Sequence, residues 1–368
     1  MRIPFAGAID CDLHPPAPSM AQLLPYLDDY WRDQITNRAI DRMSFAMMSY
    51  PPNAPISARA DWRASNTGRS DLDTLRAHVL DAFELQFGIA NVIHGAIALY
   101  NDDMAAAICR AVNDWLRAEW LDREPRLRGS ILVTPQDPAQ AVAEIERLAP
   151  DRRFVQVLLP VMGEKLLGRR EFFPLYEAAE RHGLVIAVHA GSTYRYAPTI
   201  VGWPSYQFED YVAQAQAFAN QTISLVAEGV FRRFPRLKVV MLESGVSWLP
   251  MTVWRTDKTW RGARPEVPWV DRWPSEIIRE HLRFTIQPFD APDATAVAQT
   301  IDRIGTDQVL LFSTDYPHWQ FDGDDVLPDG LSPHSLMKIL VENPLETYPR
   351  LAQVATTLAA EHPKEDVR

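Results

Sequence analysis

The chain has 368 residues, of which 47% are hydrophobic and 23% charged, with a formal net charge of −11 at pH 7. That length suits one large domain of alternating strands and helices, which commonly takes roughly 250–400 residues, and no stretch reaches the about 18 uncharged apolar residues of a membrane span. The negative balance, with no Lys/Arg-rich stretch against it, argues against nucleic acid as a partner.

The amino terminus, MRIPFAGAIDCDLHP, lacks the apolar core and cleavage signature of a signal peptide, so a cytoplasmic location is expected. The first β-type run is Ala8–Leu13. Asp12 and His14 end it two residues apart, a spacing that points both side chains to one face of an extended strand. A long insertion follows over 15–91. Pro51-Pro52, Pro55 and the polar run Arg63–Ser70 make part of it irregular, and a helix is expected near Asp71–Gln86. The second run is read as Val92–Leu99, with His94 inside it as a packing residue.

Helices and strands then alternate. The helices are Asp103–Asp122, Asp137–Ala149, Arg169–His182 and Glu209–Phe234, the last broken where Asn220 and Thr222 offer caps. His182-Gly183 reads as a helix end. The strands are Gly129–Val133, Phe154–Pro160, Leu184–Ala190, Leu237–Leu242, Leu282–Ile286 and Val309–Thr314. Most are rich in Val, Ile and Leu, as strands buried on both faces should be. A second insertion covers Tyr316–Leu336, and the polar tail 361–368 is expected to fray. The pattern predicts an α/β protein, a single-domain (β/α)8 TIM barrel over residues 1–360.

A parallel barrel gathers the carboxyl ends of its strands at one rim, so ligands far apart in sequence converge there. Beside Asp12 and His14, His189 closes the fifth run, Glu243 follows the sixth and Asp315 follows the eighth. A carboxylate at a buried strand end is costly unless paired or metal-bound, and several in register argue for one shared cation. Each residue alone has a plainer reading: His189 as a core histidine, Asp315 as a turn acid bonding its own backbone, Asp12 as a cap. The only cysteines, Cys11 and Cys109, lack zinc-ribbon spacing, so any metal relies on His, Asp and Glu. His318 stands three residues past Asp315 as a further ligand, a proton shuttle or a loop residue. Trp203, Trp248 and Trp319 flank the same strand ends as pocket walls or loop braces, and Arg59, Arg63, Arg195 and Arg255 are candidates to clamp a substrate carboxylate or to make surface ion pairs.

With these residues laid out, the chain resembles the amidohydrolase superfamily, in the branch of aminocarboxymuconate-semialdehyde and γ-resorcylate decarboxylases. The likeness lies in IDCDLHP, LYEAAERHGLVIAVHAG, EGVFRRFPRLKVVMLESG and FSTDYPHW, and runs over nearly the whole chain. It implies that Asp12, His14 and His189 are metal ligands and that Asp315 stands beside a metal-bound water. Two departures matter. Asp12 occupies the place where members carry His or Glu, and Glu243 the place where the decarboxylases carry a His that acts on substrate.

The resemblance and the residues together imply a metal-dependent hydrolase or non-oxidative decarboxylase of a small organic acid or amide. The metal set is Asp12, His14, His189, Glu243 and Asp315, and the proton-handling groups are Asp315, Glu243 and His318. A divalent metal is expected, zinc first and manganese or iron next. A small-molecule substrate and a homo-oligomer are expected as partners. One alternative is a non-heme iron oxygenase, with Glu243, Asp315 and His318 at a second metal and a redox partner supplying electrons; the other is an inactive or structural-metal subunit of a paired assembly.

Overall fold

In the computed structural model, the residues described are 3, 7–41, 62, 71–192, 202–318 and 325–353. Eight parallel strands run in sequence order around one sheet: β1 Ile9–Leu13, β2 Phe87–Ala90, β3 Leu127–Leu132, β4 Phe154–Met162, β5 Val185–Ser192, β6 Val239–Leu242, β7 Leu282–Thr285 and β8 Leu310–Leu311. The seam between last and first strands is closed by backbone bonds from Cys11 N to Phe312 O at 3.0 Å, Asp315 N to Asp12 O at 3.1 Å and His14 N to Tyr316 O at 2.8 Å. This is the (β/α)8 barrel the alternation predicts, and β1 to β4 and β6 to β8 are buried along their whole length.

The surrounding helices begin and end where the local chemistry directs. Asn101, Asp137 and Asp293 each accept backbone N–H groups at the starts of Asp102–Leu116, Pro138–Leu148 and Ala294–Ile304. Gly183 ends Phe173–His182 in the left-handed conformation, at φ 64°. Asp71 caps the helical stretch predicted near Asp71–Gln86, which runs as Leu72–Leu75 and a π-helical turn Arg76–Asp81. Pro51-Pro52, Pro55, the run 63–70 and the tail 361–368 lie outside the described residues. No described helix is long and apolar enough to cross a membrane.

Two expectations are corrected. The second strand is Phe87–Ala90, not Val92–Leu99. Gly88 lets this short strand sit close to β1, since a Cβ there would lie 2.4 Å from Leu13 Cδ1. The apolar run after it forms a 3-10 turn, Gly95–Ala98, because His94 Nδ1 accepts from Ala96 N at 3.1 Å and caps it. It is apolar because it is buried at the barrel mouth, with Ala96 and Ile97 no more than 3% exposed. The long helix is also unbroken at Asn220 and Thr222: it runs Gln207–Ala227 and ends before Gly229, whose φ of 74° starts the turn Val230–Arg233.

At the amino-terminal end of the strands one buried side chain ties several turns together. Arg350, 1% exposed, donates to the carbonyls of Ala149, Asp151, Phe154 and His182 at 2.7–3.2 Å. It thereby joins the turns that lead into β4 and β5. Arg350→Ala should lower unfolding free energy by more than about 3 kcal/mol, because several buried carbonyls lose their donor at once. Arg350→Lys should recover only part, since an ammonium cannot reproduce the planar fork. Urea denaturation measures both, and a loss under about 1 kcal/mol in the alanine variant would show that the clamp contributes little.

Candidate metal centre

The carboxyl ends of the strands carry the predicted residues into one mouth. Asp12 lies inside β1 and His14 just beyond it, both side chains turned inward as their spacing requires. His14 Nδ1 lies 3.1 Å from the carbonyl oxygen of Asn91, and His189 Nδ1 lies 2.6 Å from that of Ala190. A carbonyl only accepts, so each Nδ1 carries the proton and each Nε2 faces the mouth. The two Nε2 atoms are 3.3 Å apart. His14 Nε2 also stands 3.1 Å from Asp12 Oδ1 and 3.0 Å from Asp315 Oδ1, and His189 Nε2 stands 3.5 Å from Asp12 Oδ2.

One donor atom from each of Asp12, His14, His189 and Asp315 lies within 4.8 Å of the others, and all four residues are buried. Two facing imidazole lone pairs repel unless a proton or a cation sits between them. Asp12 Oδ2 and Asp315 Oδ2 are buried and receive no hydrogen bond, a costly state that a bound cation relieves. Two nitrogens and two carboxylate oxygens, with both imidazoles locked in the metal-ready tautomer, fit a divalent ion. Burial opposes ionisation of Asp12, but His14 and His189 override it and hold the carboxyl well below its usual range. Burial likewise disfavours the His14 imidazolium, but Asp12 and Asp315 raise its pKa.

Glu243 follows β6, and both it and Asp315 adopt φ of 56°, the left-handed region that a side chain normally avoids. In both cases a sharp turn at a strand end directs the carboxylate inward. Glu243 N donates to Thr285 Oγ1 at 3.0 Å, and Glu243 Oε1 accepts from the Tyr211 hydroxyl at 3.2 Å. Glu243 Oε2 is 3.6 Å from His189 Nε2. Burial and then the Glu243 charge push the Tyr211 pKa well above its ordinary value, so the hydroxyl keeps its proton. His318 Nδ1 stands 3.1 Å from Asp315 Oδ1, and its ring stacks on that of His14 at 4.3 Å between centroids. Burial lowers the His318 pKa, with Asp315 opposing.

All six predicted site residues therefore meet at one mouth. The sequence reading missed the groups that hold them. Asn91 donates to Asp12 Oδ1 at 2.7 Å while its carbonyl accepts from His14, so one residue orients both β1 donors. Its own side chain is fixed by Ser130 and Gln156, the latter bonded by the Tyr348 hydroxyl. Asn91 immediately follows β2, whose bounds the sequence pattern misplaces, and as a neutral amide it lacks the charge that marks Glu243. Asp10 accepts from Asp12 N, Thr314 N and Thr314 Oγ1 at 2.6–3.1 Å, and burial pushes its pKa up to about 7. Tyr211 arrives from a helix whose sequence carries no such signal.

The remaining candidates among the described residues are not in the donor cluster. His94 packs, as expected, though as a turn cap and not within a strand. Trp248 Nε1 donates to Ser244 O at 2.8 Å and braces the loop after β6, while Trp203 is 54% exposed. Arg255 is exposed on Leu249–Ala263, and Arg59, Arg63, Arg195 and Trp319 lie outside the described residues.

The amidohydrolase family model matches residues 9–350. A γ-resorcylate decarboxylase of Polaromonas sp. strain JS666 is 23% identical over 272 residues, 71% of this chain and 82% of that protein. An amidohydrolase from Mycobacterium avium subsp. paratuberculosis K-10 superposes with a TM-score of 0.72 at 20% identity, over 93% of this chain and 99% of that one. A dihydroxybenzoic acid decarboxylase from Polaromonas sp. JS666, with bound manganese and the inhibitor 2-nitroresorcinol, gives a TM-score of 0.64 at 19% identity, over 94% and 97%.

His94 offers a clean test of burial in the mouth. Burial lowers its pKa from 6.5 to about 4, so its contribution to stability is complete above pH 6.5 and is lost as pH falls toward 4. The loss has a ceiling of about 3 kcal/mol at 1.36 kcal/mol per pH unit. His94→Asn, which can still cap the turn, should be less stable than wild type at pH 7 by no more than about 2 kcal/mol and should lose less on acidification. Equal wild-type and variant slopes in urea denaturation between pH 7 and 4.5 would contradict the buried neutral histidine.

Proposed function

This chain belongs to the amidohydrolase family, and from that premise we propose that it is a metal-dependent enzyme that removes carbon dioxide from a small aromatic acid without oxidation. The supporting observation is the convergence of Asp12, His14, His189 and Asp315 donors on one point of a buried mouth. The decarboxylase names of the sequence relatives supply the reaction class. The donor set suits a first-row divalent ion; zinc and manganese are the candidates, manganese being the ion bound in a structural relative. Held by Asp12, His14, His189 and Asp315, such an ion would supply Lewis-acid polarisation of a substrate oxygen.

The chain's own groups do the rest. Asn91, with Ser130 and Gln156 behind it, holds the Asp12 and His14 donors in place. Asp315, Glu243 and His318 are the proton-handling groups. Glu243, in contact with the Tyr211 hydroxyl, occupies the wall from which a proton reaches the carbon that loses carbon dioxide: the carbon–carbon bond breaks and a carbon–hydrogen bond takes its place. The apolar side chains of Ile93, Ile97, Leu132 and Leu158 pack beside His189. Hydrolysis of an amide would use the same ion and the same acids, and is the competing outcome of the assay. The expectations of a cytoplasmic enzyme and of a homo-oligomer belong to this reading.

The test is carbon dioxide release from a panel of hydroxylated benzoates by protein loaded with Mn²⁺ or Zn²⁺. Activity should vanish on chelation and return with metal. His189→Ala and Asp315→Asn should each lower kcat by at least about 100-fold with the fold intact by circular dichroism. Asn91→Ala should weaken metal retention by about 10–100-fold through loss of donor orientation. Metal-independent turnover, or full activity in both ligand variants, would remove the proposal; release of ammonia from amides in place of carbon dioxide would replace the lyase by a hydrolase.

A further inference from the structure

We infer that Gln287 and Ser313 form a neutral polar subsite in the wall of the mouth, which takes a ring hydroxyl of the substrate and so sets which hydroxylated aromatic acid the enzyme accepts. The inference rests on the reaction proposed above and deepens it by naming a point of substrate contact apart from the metal donors.

Both residues stand at the carboxyl ends of neighbouring strands. Thr285 pairs with Leu311 between β7 and β8, and Ile286 N donates to Leu311 O at 2.9 Å, so the ladder continues past the last residue of β7. Gln287 and Ser313 each lie two residues beyond that pair, the spacing that returns a side chain to the same face of an extended chain. That face is the inner one. Phe284, of opposite parity, turns toward the helices and meets Trp248, at the start of Leu249–Ala263, edge to face at 5.6 Å between centroids. Thr285 Oγ1 instead accepts from Glu243 N at the mouth.

Gln287 is 4% exposed and Ser313 0%, yet Gln287 Nε2 and Ser313 Oγ have no hydrogen-bond partner among the described residues. Such groups cost the fold stability and return nothing to it, which marks them as held for a ligand. The other side of the barrel shows the contrast. Asn91, Ser130 and Gln156 are equally buried neutral groups, and they bond one another.

The chemistry of the pair selects its ligand. An amide nitrogen donates, a serine hydroxyl donates and accepts, and neither carries charge. An ionised substituent buried against them would lack a counter-charge, whereas a phenolic hydroxyl accepts from Gln287 Nε2 and donates to Ser313 Oγ. A hydroxyl held there fixes the rotation of the ring within the mouth.

The experiment measures binding of salicylate, and of the four dihydroxybenzoates that add one hydroxyl to its ring, to Mn²⁺-loaded, full-length protein by isothermal titration calorimetry, alongside carbon dioxide release. Wild type is compared with Gln287→Leu, which keeps the bulk, and Ser313→Ala. Wild type should bind one dihydroxybenzoate at least about 10-fold more tightly than salicylate, and each variant should bring that ratio to within about 3-fold of parity. Because neither polar group bonds to the fold, both variants should unfold at a urea midpoint no lower than that of wild type. A wild-type ratio near parity, or the wild-type ratio kept in both variants, overturns the inference. A fall of the urea midpoint in both also overturns it, since the pair would then be structural. Discrimination lost in the variants without carbon dioxide release from any isomer leaves the subsite standing and removes the proposed reaction; carbon dioxide release with no preference among the five acids does the reverse.

Discussion

Negative charge enclosed at the end of a parallel barrel is the constraint to which the upper half of this molecule responds. Asp12 and Asp315 are wholly removed from water and Glu243 nearly so. Isolated carboxylates in that setting would give up their charge or unfold the mouth. The surrounding residues answer in two ways. His14 stands against Asp12 and Asp315 at hydrogen-bond distance, His189 lies 3.5 Å from Asp12 and 3.6 Å from Glu243, and the Nδ1–H groups of both histidines are tied to main-chain carbonyls so that only one nitrogen faces inward. A shell of neutral amides and hydroxyls, Asn91, Ser130, Gln156 and Tyr348, then fixes those donors without adding charge. A network fully satisfied on its outer side and open on its inner side is what a cation site requires.

The seam of the barrel and the candidate site are one structure. Asp10, two residues before the first donor, binds the backbone and hydroxyl of Thr314, one residue before Asp315. The main chain repeats the link through Asp315 N and Asp12 O. Donors from the first and last strands thus hold their separation through the hydrogen bonds that close the sheet, and any opening of that seam moves them apart. Rigid elements, not loops, set the geometry, which is why donors so distant in sequence can be held to within a few ångströms.

Much of this was legible in the residues themselves. Strands buried on both faces announce themselves by unbroken Val, Ile and Leu, and a charged group at the end of such a run is conspicuous; that is how His189, Glu243 and Asp315 were found. The second strand escaped because it is four residues long and contains Gly88, while the more hydrophobic run after it owes its composition to burial under the mouth and not to sheet pairing. Asn91 was lost with it. Tyr211 was beyond reach for another reason: its role depends on how a helix of 21 residues lies across the barrel, a tertiary fact that periodicity does not encode. The helix also runs on past Asn220 and Thr222, and Thr222 is fully buried within it.

The pairing of Asp10 with Thr314 joins residues 304 positions apart. A contact of that span cannot form early. During synthesis the first strand must wait, with the N–H and C=O groups of one edge unpaired, until nearly the entire chain has left the ribosome, and only then can the sheet close and bring the donors together. Intermediates with seven strands in place would expose two open edges and no assembled centre, making them substrates for chaperones and liable to edge-to-edge association. For this architecture, maturation of the centre is the last event of folding, and a nascent chain cut short before the eighth strand is inert however well its other strands are formed.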